Sequence, residues 1–261
     1  MPLPFAAVLF VLGAVGAFIS GLLGVGGAIV MIPLLLYGPP LLGVGMLDVR
    51  SVAAITMVQV FVASVSGVLA HGRHRAVNGR LAAVGGAAMG AGSLAGAVAS
   101  HYVPQRWLLV VFALMVTVAF LLMFLPEPAP DPAEPAVVKE YRAWLTALTA
   151  GAVGIAAGLV GAGGAFLLVP LLLVVVGVPL RVTIGSSLAI TAAAATAGMI
   201  GKAVTGQIPL SPAMIVAAGA LPGAQLGAVT SRRLSGVALK RALLAVIVLT
   251  GVKVWWHVLA E

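Results

Sequence analysis

Apolar stretches long enough to cross a bilayer recur along almost the whole chain. Eight of them cover, approximately, residues 5–37, 51–70, 81–100, 107–125, 143–176, 183–204, 212–231 and 237–259. A helix that spans a membrane needs roughly 20 apolar residues. Of the 261 residues, 62% are hydrophobic and 8% are charged, whereas soluble domains carry about 25% charged residues. The sequence therefore predicts an all-α polytopic membrane protein.

The first apolar stretch of each half is too long for one ordinary span, and a glycine cluster interrupts it. The clusters read GVGG at residues 24–27 and GAGG at residues 161–164. Irregular backbone at membrane depth persists only where protein or a water-filled cavity surrounds it. We therefore expect each of these stretches to fold as a hairpin of two helical segments, so that eight hydrophobic blocks give about ten helical segments.

The chain contains an internal duplication. Residues 21–28 read GLLGVGGA and are followed by PLLL, and residues 158–165 read GLVGAGGA and are followed by PLLL at the same spacing. A second matched pair, GSLAGA at 92–97 and GAQLGA at 223–228, comes later in the same order. Duplications of this kind are common in secondary transporters.

A polar segment separates the two copies. Residues 126–141 read PEPAPDPAEPAVVKEY, with five prolines and four acidic residues. Proline removes a backbone donor and blocks helix formation, so this segment is predicted to be a linker. The sequence predicts a first transmembrane repeat at residues 1–125, a Pro-rich cytoplasmic linker at 126–142 and a second transmembrane repeat at 143–261.

Basic residues indicate how the two repeats are oriented. The connection between the second and third blocks holds three arginines in the first half but only Lys202 in the second. Between the third and fourth blocks the bias reverses, from Arg106 alone to basic residues at positions 232, 233, 240 and 241. Because basic connections stay in the cytoplasm, the repeats are predicted to have inverted topology, with both termini outside and the linker inside. A glycine hairpin plus three spans in each half permits this.

The two glycine clusters are the principal candidates for a functional site. A helix that restarts at Ala28 or Ala165 presents free N–H groups and the positive end of its dipole, which attract anions. Two such ends related by inversion can face one central site. Pro33 and Pro170 follow the clusters at equal distances and are expected to kink or end the restarted helices.

The alternative interpretation of paired glycines is close packing of helices. We favour packing for the later pairs, Gly92 with Gly96 and Gly223 with Gly227. For the two clusters at 24–27 and 161–164, duplication and the equal spacing to a following proline in both copies favour a role in lining a site.

Uncharged polar side chains lie in the blocks that follow the hairpins, including Thr56, Thr183 and Thr191. An unpaired amide inside an apolar block is costly, so Gln59 and Gln225 each need a partner or a cavity. A hydrogen bond between helices and contact with a substrate are equally compatible with that requirement. The predicted substrate-binding residues are Gly24, Gly26, Gly27, Ala28, Ser51, Gln59, Gly161, Gly163, Gly164, Ala165, Ser186, Ser187 and Gln225.

Lys202 is the cation of greatest interest, because it ends an apolar block in sparse polar surroundings. It could draw anions into a pathway or move protons. A lysine at such a position more often extends its ammonium group to the membrane interface, and that is our expectation here. We group Lys202 with Pro33 and Pro170 as gating or structural residues.

Several functions lack the residues that they need. There is no cysteine, no Walker-type phosphate-binding sequence and no acidic residue inside an apolar block, so neither ATP hydrolysis nor a central proton-carrying carboxylate is expected. No metal site, cofactor, catalytic residue or nucleic-acid partner is predicted. The expected partners are a small anionic substrate and membrane lipid, and a homodimer is left open. An anion channel with the same site, and less favourably an intramembrane enzyme, are the alternatives to a transporter.

The sequence resembles the TauE/SafE family of sulfite and organosulfonate exporters over almost its whole length. The resemblance is carried by residues 21–27 with Pro33, their copy at 158–164 with Pro170, TIGSSL at 183–188, and GAQLG at 223–227 before Arg232. It implies transport of sulfite, thiosulfate or a sulfonate across a bacterial inner membrane. Members of the family often have a third glycine where this chain has Ala28 and Ala165. The methyl groups of these alanines would narrow the site.

Overall fold

The computed structural model describes residues 1–23, 27–71, 78–125, 141–231 and 236–260. Its regular elements in this part of the chain are all helices. They are α1 Leu3–Leu23, α2 Ala28–Leu41, α3 Val49–His71, α4 Gly79–Ala99, α5 Gln105–Leu122, α6 Ala143–Val160, α7 Ala165–Leu171, α8 Leu180–Val204, α9 Leu210–Ser231 and α10 Gly236–Ala260. A π-helical stretch, Leu172–Val176, continues α7.

Eight of these helices are long and apolar enough to cross a membrane, and α2 and the segment Ala165–Val176 are shorter. The predicted all-α polytopic architecture is therefore confirmed. The Pro-rich linker lies outside the described residues except for its last two positions. The boundaries of the two repeats remain predictions.

Both long apolar stretches are interrupted where the glycine clusters lie. Helix α1 ends at Leu23 and α2 begins at Ala28, and α6 ends at Val160 before α7 begins at Ala165. Gly27, which precedes α2, has a φ of 72°, and the three glycines before α7 have φ values between 60° and 74°. Only glycine adopts this left-handed conformation without strain, which explains why the breaks occur there.

The two prolines differ in their effect. Pro33 lies inside α2, which continues to Leu41, so Pro33 does not end that helix. Pro170 is the last residue but one of α7, and the backbone becomes π-helical at Leu172. Proline supplies no N–H for the helical ladder, and a local change to π-helix is one way in which the backbone accommodates such a gap.

Two pairs of helices pack closely and in parallel. On α9, a methyl group at Gly219 would meet the carbonyl of Phe10, and one at Gly227 would meet the carbonyl of Phe18. Helices α4 and α6 pack in the same way, and a methyl group at Gly92 would lie 2.5 Å from the carbonyl oxygen of Gly151. Because side chains at these glycines would collide with the neighbouring backbone, the packing interpretation of residues 92, 96, 223 and 227 is confirmed.

Helices α3 and α8 pack against each other in opposite directions. Gly163 contacts both Val60 of α3 and Thr191 of α8, which brings these two residues together. Gly198, seven residues after Thr191 in α8, contacts Met57, three residues before Val60 in α3. The two helices therefore run in opposite directions. An inverted arrangement of the two halves requires such antiparallel packing of α3 and α8. The inverted repeat itself stays a prediction.

Candidate anion-binding site

The two helix breaks meet on neighbouring residues of α3. A methyl group at Gly27 would lie 3.3 Å from Nε2 of Gln59 and 2.8 Å from Oγ of Ser20. Gly163, in the second break, contacts the side chain of Val60. The restarted helices α2 and α7 are thus brought to one region of the bundle. Gly24 and Gly26 lie outside the described residues.

The start of each restarted helix offers buried backbone donors. Met31 N donates to the carbonyl of Gly27 over 3.0 Å, and Leu168 N donates to that of Gly164 over 2.9 Å. The N–H groups of Ala28 and Ala165 precede these donors and have no acceptor within their own helix. Both alanines are fully buried. Amides at the positive end of a helix are suited to bind an anion.

Gln59 is fully buried, and neither of its amide atoms, Oε1 nor Nε2, has a hydrogen-bond partner. Leaving a buried polar group unpaired costs about 1–3 kcal/mol. Native structures therefore pair almost all such groups, and the exceptions need an explanation such as a ligand or water. The Gln59 amide lies beside the start of α2, where backbone N–H groups are also without a partner in the helix. This position is consistent with an amide that forms its hydrogen bonds when a substrate binds.

Two threonines share this condition. Thr56 and Thr191 are fully buried, and neither Oγ1 has a hydrogen-bond partner. Thr56 lies one turn before Val60 on the same side of α3, and the methyl carbon of Thr191 would lie 3.4 Å from a methyl group at Gly163. We refer to Thr56, Gln59 and Thr191 as the central cluster. Its side chains offer hydroxyl and amide donors but no full charge.

The other predicted serines differ from the central cluster in that their polar groups have hydrogen-bond or other partners. Ser186 is buried, but its Oγ accepts a hydrogen bond from Asn78 N over 3.1 Å. Ser187 is buried and also has a partner. Ser51 is half-buried near the start of α3, where its N–H donates to Asp48 Oδ2 over 3.2 Å. Ser51 and Ser186 are bonded away from the central cluster, whereas Ser187 lies one helical turn before Thr191 on the same side of α8.

Gln225 is exposed on the outer side of α9. The buried side of α9 carries Gly223, Ala224 and Gly227, which pack towards α1. Gln225 projects away from that contact, so the structure does not bring it to the glycine breaks.

The expectation that Lys202 extends to the membrane interface was wrong. Lys202 is fully buried, and its Nζ donates to Ser100 Oγ over 2.9 Å and to Gln207 Oε1 over 3.4 Å. These acceptors come from the end of α4 and from the connection between α8 and α9. The oxygen atoms of Ser100 and Gln207 replace the water molecules that would otherwise hydrogen-bond to the ammonium group. The Lys202 side chain can therefore remain inside the protein.

Sequence reasoning did not assign several of the polar residues found here to a site. In the sequence, Thr56 and Thr191 are recognisable only as hydroxyls in the blocks that follow a hairpin. Ser93 is fully buried with an unpaired Oγ, although it lies within a packing motif. The available signal was a hydroxyl inside an apolar block. Ser100 and Gln207 carry no local signal.

A polytopic helical bundle with two interrupted helices, whose starts meet beside unpaired buried polar groups, is the architecture of a membrane transporter. The chain belongs to the TauE/SafE family, because its residues 9–254 match the family model described as sulfite exporter TauE/SafE. No solved structure matches the chain significantly.

Two curated relatives are also described as transporters. The "Probable membrane transporter protein YunE" of Bacillus subtilis (strain 168) is 25% identical over 261 aligned residues, covering 94% of this chain and 95% of the relative. A "Probable membrane transporter protein" of Xylella fastidiosa is 29% identical over 223 residues, covering 85% of this chain and 84% of the relative. The similarity thus extends over nearly the whole membrane domain.

Proposed function

We propose that this protein is a secondary transporter for a small anion in a bacterial inner membrane. The substrate is a sulfur oxyanion or an organosulfonate, such as sulfite, thiosulfate or sulfoacetate. The observation that carries this proposal is Gln59, which is fully buried with both amide atoms unpaired, beside the start of α2. The name of the matching family supports the sulfur chemistry.

The donors around Gln59 suit an oxyanion. Amide N–H groups at the starts of α2 and α7, Nε2 of Gln59 and the hydroxyls of Thr56 and Thr191 can each donate to one of several oxygen atoms. The Oε1 atom of Gln59 can accept from a protonated oxyanion or from water that accompanies the ligand. The methyl groups of Ala28 and Ala165 narrow the space and therefore influence which anion fits.

The absence of a formal charge from the central cluster suits transport. A fixed cation at the bilayer centre is costly, and it would also hold an anion tightly. Partial charges on amides and hydroxyls compensate a transient anion and then release it. The three side chains are fully buried, so neighbouring groups must move before an anion reaches them. This favours alternating access over an open pore.

Counterflow in proteoliposomes tests the proposal. Vesicles loaded with unlabelled sulfite, thiosulfate or sulfoacetate are diluted into the same anion carrying a label. A transporter accumulates label transiently above equilibrium, whereas protein-free vesicles do not. An anion-selective current without exchange would support a channel instead. Conversion of the anion without vectorial movement would support an enzyme, and no response to any of the three anions would contradict the assigned substrate class.

A further inference from the structure

A second group of polar side chains, three of them buried and one half-buried, lies where α3 begins and where α4 and α8 end. Lys202 Nζ donates to Ser100 Oγ and to Gln207 Oε1, and Ser100 Oγ in turn lies 2.9 Å from the same Gln207 oxygen. Arg50 Nη2 donates to the carbonyl of Val103, three residues beyond Ser100, over 3.2 Å. We refer to Arg50, Ser100, Lys202 and Gln207 as the mouth cluster.

Among the residues that the structure describes, the two cations of the mouth cluster have no acidic partner. Asp48 is the single acidic residue in the described part of the chain, and its Oδ2 accepts hydrogen bonds from Ser51 N and from Gln105 Nε2. The hydrogen-bond partners of Lys202 are neutral. Arg50 lies at the same end of the bundle, where its Nη2 donates to the carbonyl of Val103, and its Nε is buried without a hydrogen-bond partner.

A buried positive charge without a counter-charge is destabilising. Here a fully buried ammonium group lies at the same end of the bundle as a half-buried guanidinium group whose buried Nε has no hydrogen-bond partner. An anion bound between them would be favourable. The guanidinium group of arginine and the ammonium group of lysine also form strong, charge-assisted hydrogen bonds to oxyanions.

A line of polar groups connects this position with the central cluster. Thr191, Gly198 and Lys202 follow one another along one side of α8 at helical spacing, and Ser93 and Ser100 do so along α4. A methyl group at Gly198 would lie 2.5 Å from Oγ of Ser93. Lys202 is eleven residues beyond Thr191, which corresponds to about 16 Å along a helix.

Ser93 lies midway along this line and is itself unsatisfied. Its Oγ is fully buried and has no hydrogen-bond partner. The side chain of Met57 lies beside it, since Cε of Met57 would be 2.6 Å from a methyl group at Gly198. A flexible methionine can move aside at low cost.

We propose that the mouth cluster is a second anion-binding position, and that anions pass between it and the central cluster along Ser93, with Met57 as the barrier. The proposal rests on the proposed anion transport and adds the route and the residues that capture the anion. Lys202 and Arg50 attract the anion from water, and the uncharged groups beyond them accept it.

Because the chain contains no cysteine, a single introduced thiol can report on the mouth cluster in the full-length protein. Thr205 is half-buried, and its Oγ1 lies 2.7 Å from Nε2 of Gln207. In Thr205→Cys, an anionic methanethiosulfonate should react about tenfold faster than a cationic one, relative to their rates with a free thiol, because local positive potential concentrates anions. Sulfate should slow the reaction more than gluconate at equal ionic strength.

The charge of Lys202 should be responsible for this preference. Adding Lys202→Met to the reporter should abolish both the charge preference and the protection by sulfate, whereas Lys202→Arg should retain them. Lys253→Met is the matched control, because Lys253 is an exposed cation over the ring of Tyr37 on a different part of the surface. In counterflow, Lys202→Met should raise the KM about tenfold and leave the maximal rate within about twofold.

The outcomes separate this inference from the transport proposal. Charge-selective, sulfate-protected labelling without counterflow of any anion would support the mouth cluster and contradict transport. Efficient counterflow with labelling that ignores both sulfate and Lys202→Met would overturn the mouth cluster alone. A thiol that reacts with neither reagent would also overturn it, because a position that takes anions from water must admit the reagent.

Discussion

The central cluster and the mouth cluster lie largely on the same helices, yet they differ in charge and in hydrogen bonding. The central cluster has no formal charge, and its hydroxyl and amide atoms lack partners. The mouth cluster contains two cations, and Lys202 is held there by neutral partners. A charged entrance raises the local concentration of anions, while a neutral centre binds them without retaining them. In the proposed transport cycle, attraction of the anion and its passage are therefore assigned to separate places.

The largest expected effect comes from filling the second helix break. Gly163→Val should abolish transport while the protein still inserts, because the new side chain would collide with Val60, and because Gly163 has a φ of 60°. Gly177→Val is the matched control, since Gly177 has a φ of 76° but open space around it. Both variants impose the strain of a left-handed residue, about 1–2 kcal/mol.

Counterflow and the amount of protein in the membrane are measured for both glycine variants. If Gly163→Val transports as well as Gly177→Val, then the break at residues 161–164 serves packing alone, and the central cluster loses one of its two helix starts.

The next effect concerns the amide in the centre. Gln59→Leu should lower transport at subsaturating anion by roughly 30- to 100-fold, which corresponds to losing about 2–3 kcal/mol of hydrogen bonding to an anion. Gln225→Leu makes the same change at an exposed position of α9 and should leave transport unchanged. Initial rates of counterflow give the comparison, and equal losses in both variants would contradict a special role for Gln59.

A smaller effect is expected for one hydroxyl of the central cluster. Thr191→Val removes a buried Oγ1 that has no partner and should raise the KM about tenfold. Thr196→Val is the control on the same helix, because the Thr196 hydroxyl donates to the carbonyl of Ala192 over 2.7 Å. A KM for Thr191→Val that equals that of Thr196→Val would remove Thr191 from the site.

Much of the fold could be predicted from the sequence because its determinants are local. Hydropathy gives the eight long helices, and the need for a left-handed backbone explains why both breaks fall at glycines. The packing role of Gly92 and Gly223 could likewise be inferred from their spacing. The effect of Pro33 could not, since a helix continues past a proline when its neighbours accommodate the missing donor.

The site was only partly predictable, because it depends on which sides of the helices meet. Gln59 and Gln225 look equivalent in the sequence. Only the packing of α9 against α1 shows that Gln225 lies on the exposed side of its helix. Lys202 was expected at the interface because its acceptors, Ser100 and Gln207, are distant in sequence or belong to a connection. Whether a buried hydroxyl is satisfied, as in Ser186, or unpaired, as in Thr191, is decided by tertiary contacts that no local pattern encodes.

The most direct measurement compares the thermal stability of the purified wild type and of Gln59→Leu, with and without the anion that gives the strongest counterflow. The wild type should be stabilised by the anion, because a ligand that binds the folded state raises its stability. Without anion, Gln59→Leu should be at least as stable as the wild type, since it no longer buries an unpaired amide, and the anion should stabilise it far less. A variant that is less stable without anion, yet equally stabilised by it, would show that Gln59 supports the structure rather than binding the substrate.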